Sequence, residues 1–222
     1  MLIAVPLTDE SFEENVKEIK KRGADIVELR VDQFSRTEAK YVLGLVEVAR
    51  GVGLKTILTV RSEKEGGKEV PSRVEVFKKV APLCDFADIE LSSRELIPLV
   101  RDAVEQGGGR LIVSFHDFER TPPNWVLKEV LREGHRYGGI PKVSVMANSY
   151  EDVARLVCVA GQESYEKIVI AMGEIGKVSR LLSPVVGSVI SYASFGKSLA
   201  PGQLPLEKLV ELRKLLYEGK VE

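Results

Sequence analysis

In "GIPKVSVMAN" (residues 139–148), Lys142 interrupts a run that otherwise has the composition of a buried strand. Burying an ammonium is costly unless it is paired or neutral, so a lysine at this place implies chemistry. An exposed lysine titrates near about 10.4 and is a poor nucleophile at neutral pH. Desolvation and neighbouring arginines both disfavour the ammonium and are expected to lower that value. A neutral amine in a pocket attacks a ketone or aldehyde to give an imine, whose protonated form is an electron sink. A nearby base can then remove a proton from the carbon α to the former carbonyl. His116, in "SFHDF", has the natural pKa for such acid and base work. The other histidine, His135, lies in the helical stretch "VLREGHRYGG" and is expected on the surface.

Cations accompany these groups. Arg61 precedes the loop "SEKEGGKEV", whose Gly66-Gly67 pair can act as a hinge and carry Glu65 inward. A second Gly/Pro-rich loop, "SLAPGQLP" (198–205), is expected to form the other half of a lid. Arg30, Arg61 and Arg180 together suit an anionic substrate, because a planar guanidinium binds a carboxylate in a bidentate manner. A carboxylate is favoured over a phosphate: "AMGEIGKVSR" lacks the spacing of a phosphate loop, and its Glu174 would repel one.

The elements that must position these residues are eight short β-branched runs: 2–6, 25–31, 55–61, 86–91, 110–116, 140–146, 167–172 and 188–193. Between them lie charged stretches with helical apolar spacing, such as "FEENVKEIKKR" and "DVARLVCVA". The chain ends in "PLEKLVELRKLLYEG", with Pro205 expected in the first helical turn and Gly219 as a stop. Eight βα units in one domain, residues 1–222, predict an α/β fold: a single (β/α)8 TIM barrel with a closed parallel sheet. A doubly wound open sheet is the alternative.

Strand parity sharpens the site. If Val27 and Leu29 face the helices, Glu28, Arg30 and Asp32 turn inward. The same test turns Thr59 and Arg61 inward, then Asp88 and Glu90, then Ser114 and His116, then Lys142, Ser144 and Met146. Five strands thus predict a polar, charged interior, where a purely structural barrel would be filled with Val, Ile and Leu.

Composition closes off other classes. The 222 residues are 44% hydrophobic and 29% charged, with a formal net charge of −1, so no basic field announces nucleic acid. No apolar run approaches the roughly 20 residues of a spanning helix, and "MLIAVPL" has no basic n-region, so a cytoplasmic globular protein with no membrane partner is expected. Two cysteines make neither a disulfide framework nor a metal cluster, and Cys158 is expected to be a core thiol.

"VELRVDQF", "TVRSEKEGG", "SFHDF", "IPKVSVM", "MGEIGKVSR" and "APGQLP", in this order along essentially the whole chain, resemble the motifs of type I 3-dehydroquinate dehydratases. The resemblance implies a homodimeric (β/α)8 lyase of the shikimate pathway that needs no metal or organic cofactor. It implies loss of water from 3-dehydroquinate through an imine with a lysine. By motif, Lys142 matches the Schiff-base lysine, His116 the general base and Glu65 the acid that orients it. Glu28, Arg30 and Arg61 match residues that hold the substrate's hydroxyls and polar edge. Arg180 and Gln203 match groups around its carboxylate, and Met172 an apolar residue near the ring. Two positions depart from the pattern. Gln33 stands where histidine is frequent, and Leu199 where serine is common; Ala200 keeps the loop's backbone donors. The competing readings are a class I aldolase acting on a keto acid or sugar phosphate, and a barrel that only binds carboxylates.

Overall fold

The computed structural model describes residues 1–196 and 199–218. Strands β1 (Leu2–Leu7), β2 (Ile26–Arg30), β3 (Lys55–Thr59), β4 (Phe86–Glu90), β5 (Arg110–Asp117), β6 (Ile140–Met146), β7 (Ile168–Met172) and β8 (Ile190–Ser194) fall on the eight expected runs. Helices α1 (Phe12–Lys21), α2 (Ala39–Gly51), α3 (Arg73–Val80), α4 (Ile97–Gln106), α5 (Asn124–Arg136) and α6 (Tyr150–Gly161) follow β1 to β6 in turn. A capping box starts α6: the Ser149 hydroxyl accepts from the Asp152 N–H, and the Asp152 carboxylate accepts from the Ser149 N–H. The seventh unit has two 3-10 turns, Ile175–Arg180 and Ser183–Val186, in place of a full α-helix. A two-residue strand β9 (Leu204–Pro205) precedes α7 (Leu206–Arg213), so Pro205 stands just before the helix and not inside its first turn. Ser198, at the start of the second lid loop, and Gly219, the expected stop, lie outside the described residues. No helix among the described residues is long and apolar enough to cross a membrane.

All strand pairs are parallel, in the order β7-β6-β5-β4-β3-β2-β1-β8-β9. The expected closed eight-stranded ladder is therefore corrected to a curled, open sheet of nine strands in which β7 and β8 face each other across a seam. There a single bridge pairs Lys167 with Ser188, through Val189 N–H to the Lys167 carbonyl at 2.9 Å and Lys167 N–H to the Gly187 carbonyl at 3.3 Å. Side chains take the place of a longer ladder. The amides of Val169 and Ala171 donate to the hydroxyls of Ser188 and Ser179, at 3.1 and 2.9 Å, and the Tyr192 carbonyl accepts from the Arg180 guanidinium at 3.1 Å. These bonds satisfy the Val169 and Ala171 amides and the Tyr192 carbonyl without a longer strand-to-strand ladder.

The period-two pattern sends Val27, Leu29, Leu58, Ala87, Ile89, Val113, Val143 and Val145 outward into one apolar layer beneath the helices. The inward positions form two tiers, and this corrects the expectation of a uniformly polar interior. At the N-terminal end Ile26, Ile57, Phe86, Ile112, Ile140, Ile168 and Ile190 fill the axis as a second apolar cluster. One inward step further along the strands stand Glu28, Thr59, Asp88, Ser114 and Lys142, all buried. Cys158 also departs from expectation: Val153, Leu156, Val159 and Ala160 form the buried face of α6, and the thiol lies off that face, exposed. His135 is exposed as expected, stacked on Tyr165 with ring centroids 4.0 Å apart.

Candidate active site

β6 delivers Lys142 to the axis because Val143 and Val145 occupy the helix-facing positions. The side chain is buried, and Nζ donates to Asp88 Oδ2 at 2.8 Å and to the Tyr192 hydroxyl at 3.3 Å. This carboxylate, which the strand sequence around Lys142 does not contain, offsets the cost of burying the ammonium. Asp88 is itself fixed: its Oδ1 accepts from the Ser114 hydroxyl at 2.6 Å and pairs with Arg61 Nη2 at 3.0 Å. Burial alone would raise the Asp88 carboxyl, but the charges of Arg61 and Lys142 hold it far below the usual carboxylate range. Arg61 also donates to Glu90 at 3.0 Å and to Ser114 at 2.7 Å. Glu90 in turn pairs with Arg73 and accepts from the Ser62 N–H.

His116, on the adjacent strand β5, stands one inward position beyond Ser114, the register partner of Lys142. Its Nδ1 lies 2.8 Å from Glu65 Oε2, and its backbone N–H donates to the same oxygen at 3.1 Å. Two donors converging on one oxygen assign Nδ1–H to the ring and leave Nε2 as the free base. Glu65 arrives on a 3-10 turn, Glu63–Glu65, and its Oε1 accepts from the Ser92 hydroxyl at 2.6 Å. The glycines that follow make the approach possible: Gly66 has φ +82, and a Cβ on Gly67 would lie 2.0 Å from the Arg61 carbonyl oxygen. Burial pushes Glu65 up to about 7. Burial, then the charges of Arg61 and Lys142, hold the His116 imidazole well below its usual range, so the ring is neutral at neutral pH.

The three arginines expected to face an anion differ sharply. Arg30 is held bidentate by Asp32, at 3.0 and 2.8 Å, while Gln33 donates to the same carboxylate at 2.8 Å. Arg61 is occupied by Asp88 and Glu90. Arg180 is buried with no carboxylate within 4 Å among the described residues. It donates to the carbonyls of Gly202 at 2.8 Å, Tyr192 at 3.1 Å and Pro201 at 3.3 Å. Burial lowers its pKa to about 10, which leaves it charged at neutral pH and short of a counter-charge. The loop from Leu199 to Gln203 sits beside it, with the Leu199 N–H donating to Gln203 Oε1 at 3.1 Å. Glu28 accepts from Thr59 at 2.7 Å.

One cavity at the C-terminal mouth of the sheet gathers every residue picked from the sequence: Glu28, Arg30, Arg61, Glu65, His116, Lys142, Met172, Arg180, Ala200 and Gln203. Sequence reasoning gave no role to Tyr192, Phe118 or Ile170, which line the same cavity, nor to Asp88 beneath it; Leu199, noted as a departure from the pattern, lines it too. Parity had already turned Asp88 inward, whereas on "SVISYA" each face carries one serine, so the same test leaves Tyr192 unplaced.

The sequence model of the type I 3-dehydroquinase family matches residues 3–220. The chain is 59% identical to the 3-dehydroquinate dehydratase of Aquifex aeolicus over 98% of its own length and 99% of that protein's. It is 51% identical to the Hydrogenobaculum enzyme of the same name over 98% and 99% of the two chains. The crystal structure of the Aquifex aeolicus dehydratase superposes with a TM-score of 0.96 over 99% of this chain and 100% of that one, at 58% identity. From these matches and the site they span, the chain belongs to the type I 3-dehydroquinase family.

Proposed function

We infer that this chain dehydrates 3-dehydroquinate to 3-dehydroshikimate through an imine on Lys142. The observation that carries the reading is a buried lysine on the axis, one strand from a neutral His116 that is oriented by Glu65, inside a single cavity. Lys142 Nζ adds to the substrate ketone, and loss of water gives the protonated imine. His116 Nε2 takes the α-proton, the electron pair moves onto the imine nitrogen, and the resulting enamine expels the β-hydroxyl. His116 returns its proton to the departing hydroxide, and water then hydrolyses the imine to free the product and Lys142.

Arg180 and Gln203 hold the substrate carboxylate, since Arg180 is the buried cation of the cavity whose charge is unmatched by an acid. Glu28, Arg30 and Arg61 hold the polar edge, with Arg61 also fixing the acids around it, while Met172 packs on the ring and Ala200 supplies backbone donors. The family reading makes the enzyme a cytoplasmic homodimer of the shikimate pathway. Incubation with 3-dehydroquinate, followed by ultraviolet absorbance of the conjugated product, tests the activity. Borohydride reduction and peptide mapping test the covalent step. Absence of the absorbance defeats the reading, and a reduced adduct on any residue but Lys142 defeats the assignment.

A further inference from the structure

We propose that Asp88 is the counter-ion of the protonated imine at Lys142, and that this pairing keeps the imine protonated into the alkaline range. The proposal rests on the imine reading above. Its first support is geometry. Asp88 Oδ1 is held by Ser114 and Arg61, which leaves Oδ2 aimed at Nζ from 2.8 Å. Condensation of the ammonium with a ketone exchanges C=O and NH3⁺ for C=NH⁺ and H2O. Atoms and charge balance, so Asp88 faces one positive charge before and after. The protonated imine keeps a single N–H, and Oδ2 is the acceptor already in place for it.

The other charged groups around the axis are committed elsewhere. From β2, Glu28 accepts from Thr59, and Arg30 is paired with Asp32. From just beyond β3, Arg61 binds Asp88 and Glu90, and from β4, Glu90 also binds Arg73. From β5, His116 is bonded to Glu65. From β8, Tyr192 has its phenol pushed well above the usual range by burial and by the charges of Glu28 and Asp88, so it is a neutral partner. The short 3-10 turn after β7 brings Arg180, bound to backbone carbonyls, while β1 and β7 themselves carry no titratable side chain. Among the described residues, Asp88 is the one carboxylate within 4 Å of Nζ.

Asp88 also suits the task because it cannot compete for the proton. Arg61 and Lys142 keep its carboxyl strongly acidic despite burial, so it stabilises the iminium charge without deprotonating the nitrogen. The electron sink then persists at pH values where an unpaired imine would lose its proton.

The test is the pH dependence of kcat for Asp88→Asn, which keeps the shape and removes the charge. Removing an opposite charge at this distance lowers the partner's pKa by about 1–3 units, so the alkaline limb of kcat moves to lower pH by that amount. Above the new limb, kcat falls about tenfold per pH unit relative to the native enzyme. Asp88→Glu, which keeps the charge, restores the limb toward its native position. A limb that does not move in folded Asp88→Asn, or a kcat reduced by one factor at every pH, overturns the proposal. The native enzyme supplies a readout independent of whether either variant folds. Its adduct with saturating 3-dehydroshikimate is followed by the deuterium shift of the C=N Raman band from about pH 7 to about pH 9. Retention of the shift supports the counter-ion, and its loss within that range overturns it. If borohydride traps no adduct on native Lys142 at neutral pH, the imine reading itself fails. An adduct with an unmoved limb defeats the role of Asp88 alone.

Discussion

At the N-terminal end of the sheet Ile57, Phe86, Ile112 and Ile140 meet on the axis with no polar side-chain atom among them. Two residues further along the same strands stand Thr59, Asp88, Ser114 and Lys142, equally buried and bonded to one another or to Glu28. The lower tier gains free energy by leaving water. The upper tier loses it, and recovers it only because each charge has a partner of fixed geometry. The apolar floor excludes solvent from below, and the low-dielectric surroundings it creates strengthen every ion pair above. The same strands therefore carry stability at one end and reactivity at the other.

Variants can break that division, beginning with the largest effect. Lys142→Ala removes the covalent link: turnover falls to background and borohydride leaves no adduct on the protein. His116→Ala keeps a trappable adduct but lowers kcat by about 10²–10⁴-fold, as loss of a general base does. Near-normal turnover in that variant would refute the assignment. The next effect is in pH. Glu65 titrates at about 7, above its ordinary value, so it is protonated on the acid side. A protonated Glu65 donates to Nδ1, which places the ring proton on Nε2 and blocks the base. The kcat/KM of the native enzyme is accordingly expected to rise with pH up to about 7 and to level off beyond it, and Glu65→Gln removes that limb. The lower tier should behave in the opposite way. Ile57→Ala is expected to cost about 2–5 kcal/mol in urea denaturation while leaving kcat per folded molecule nearly unchanged. A large loss of kcat would show that the floor also tunes the site.

Much of this was legible from periodicity. Lys142, His116 and Arg61 were placed inward by the apolar neighbours on either side, because a strand allows only two faces. Gln203 and Ala200 came from resemblance alone, and Glu65 from the glycine pair after it together with the resemblance, since loop geometry has no period to read. Asp88 was visible as an inward acid, but its contact with Lys142 spans 54 residues and two strands, which parity on one strand cannot show. The isoleucine tier was overlooked because the test sought polar residues between apolar ones, and there both faces are apolar. Cys158 was misjudged because "VARLVCVA" is apolar almost throughout, and only the packing decides which side of the helix is covered. The seam lay furthest from view, because serine hydroxyls that satisfy strand amides leave no local signature.

That seam gives the molecule a direction of opening. From β7 round to β8 each strand is paired with its neighbour along three or more residues, whereas β7 and β8 are joined only through Lys167 and Ser188 among the described residues. Hydrogen exchange is expected to follow this asymmetry, with the Val169 and Ala171 amides, held by serine side chains, losing their protons before the amides between β4 and β5. Because Arg180 spans the gap to the Tyr192 carbonyl, the first motion of unzipping would dismantle the end proposed to bind the carboxylate and leave the Lys142–Asp88 centre for last. Heat or strain should thus cost the enzyme its grip on substrate before it costs the nucleophile.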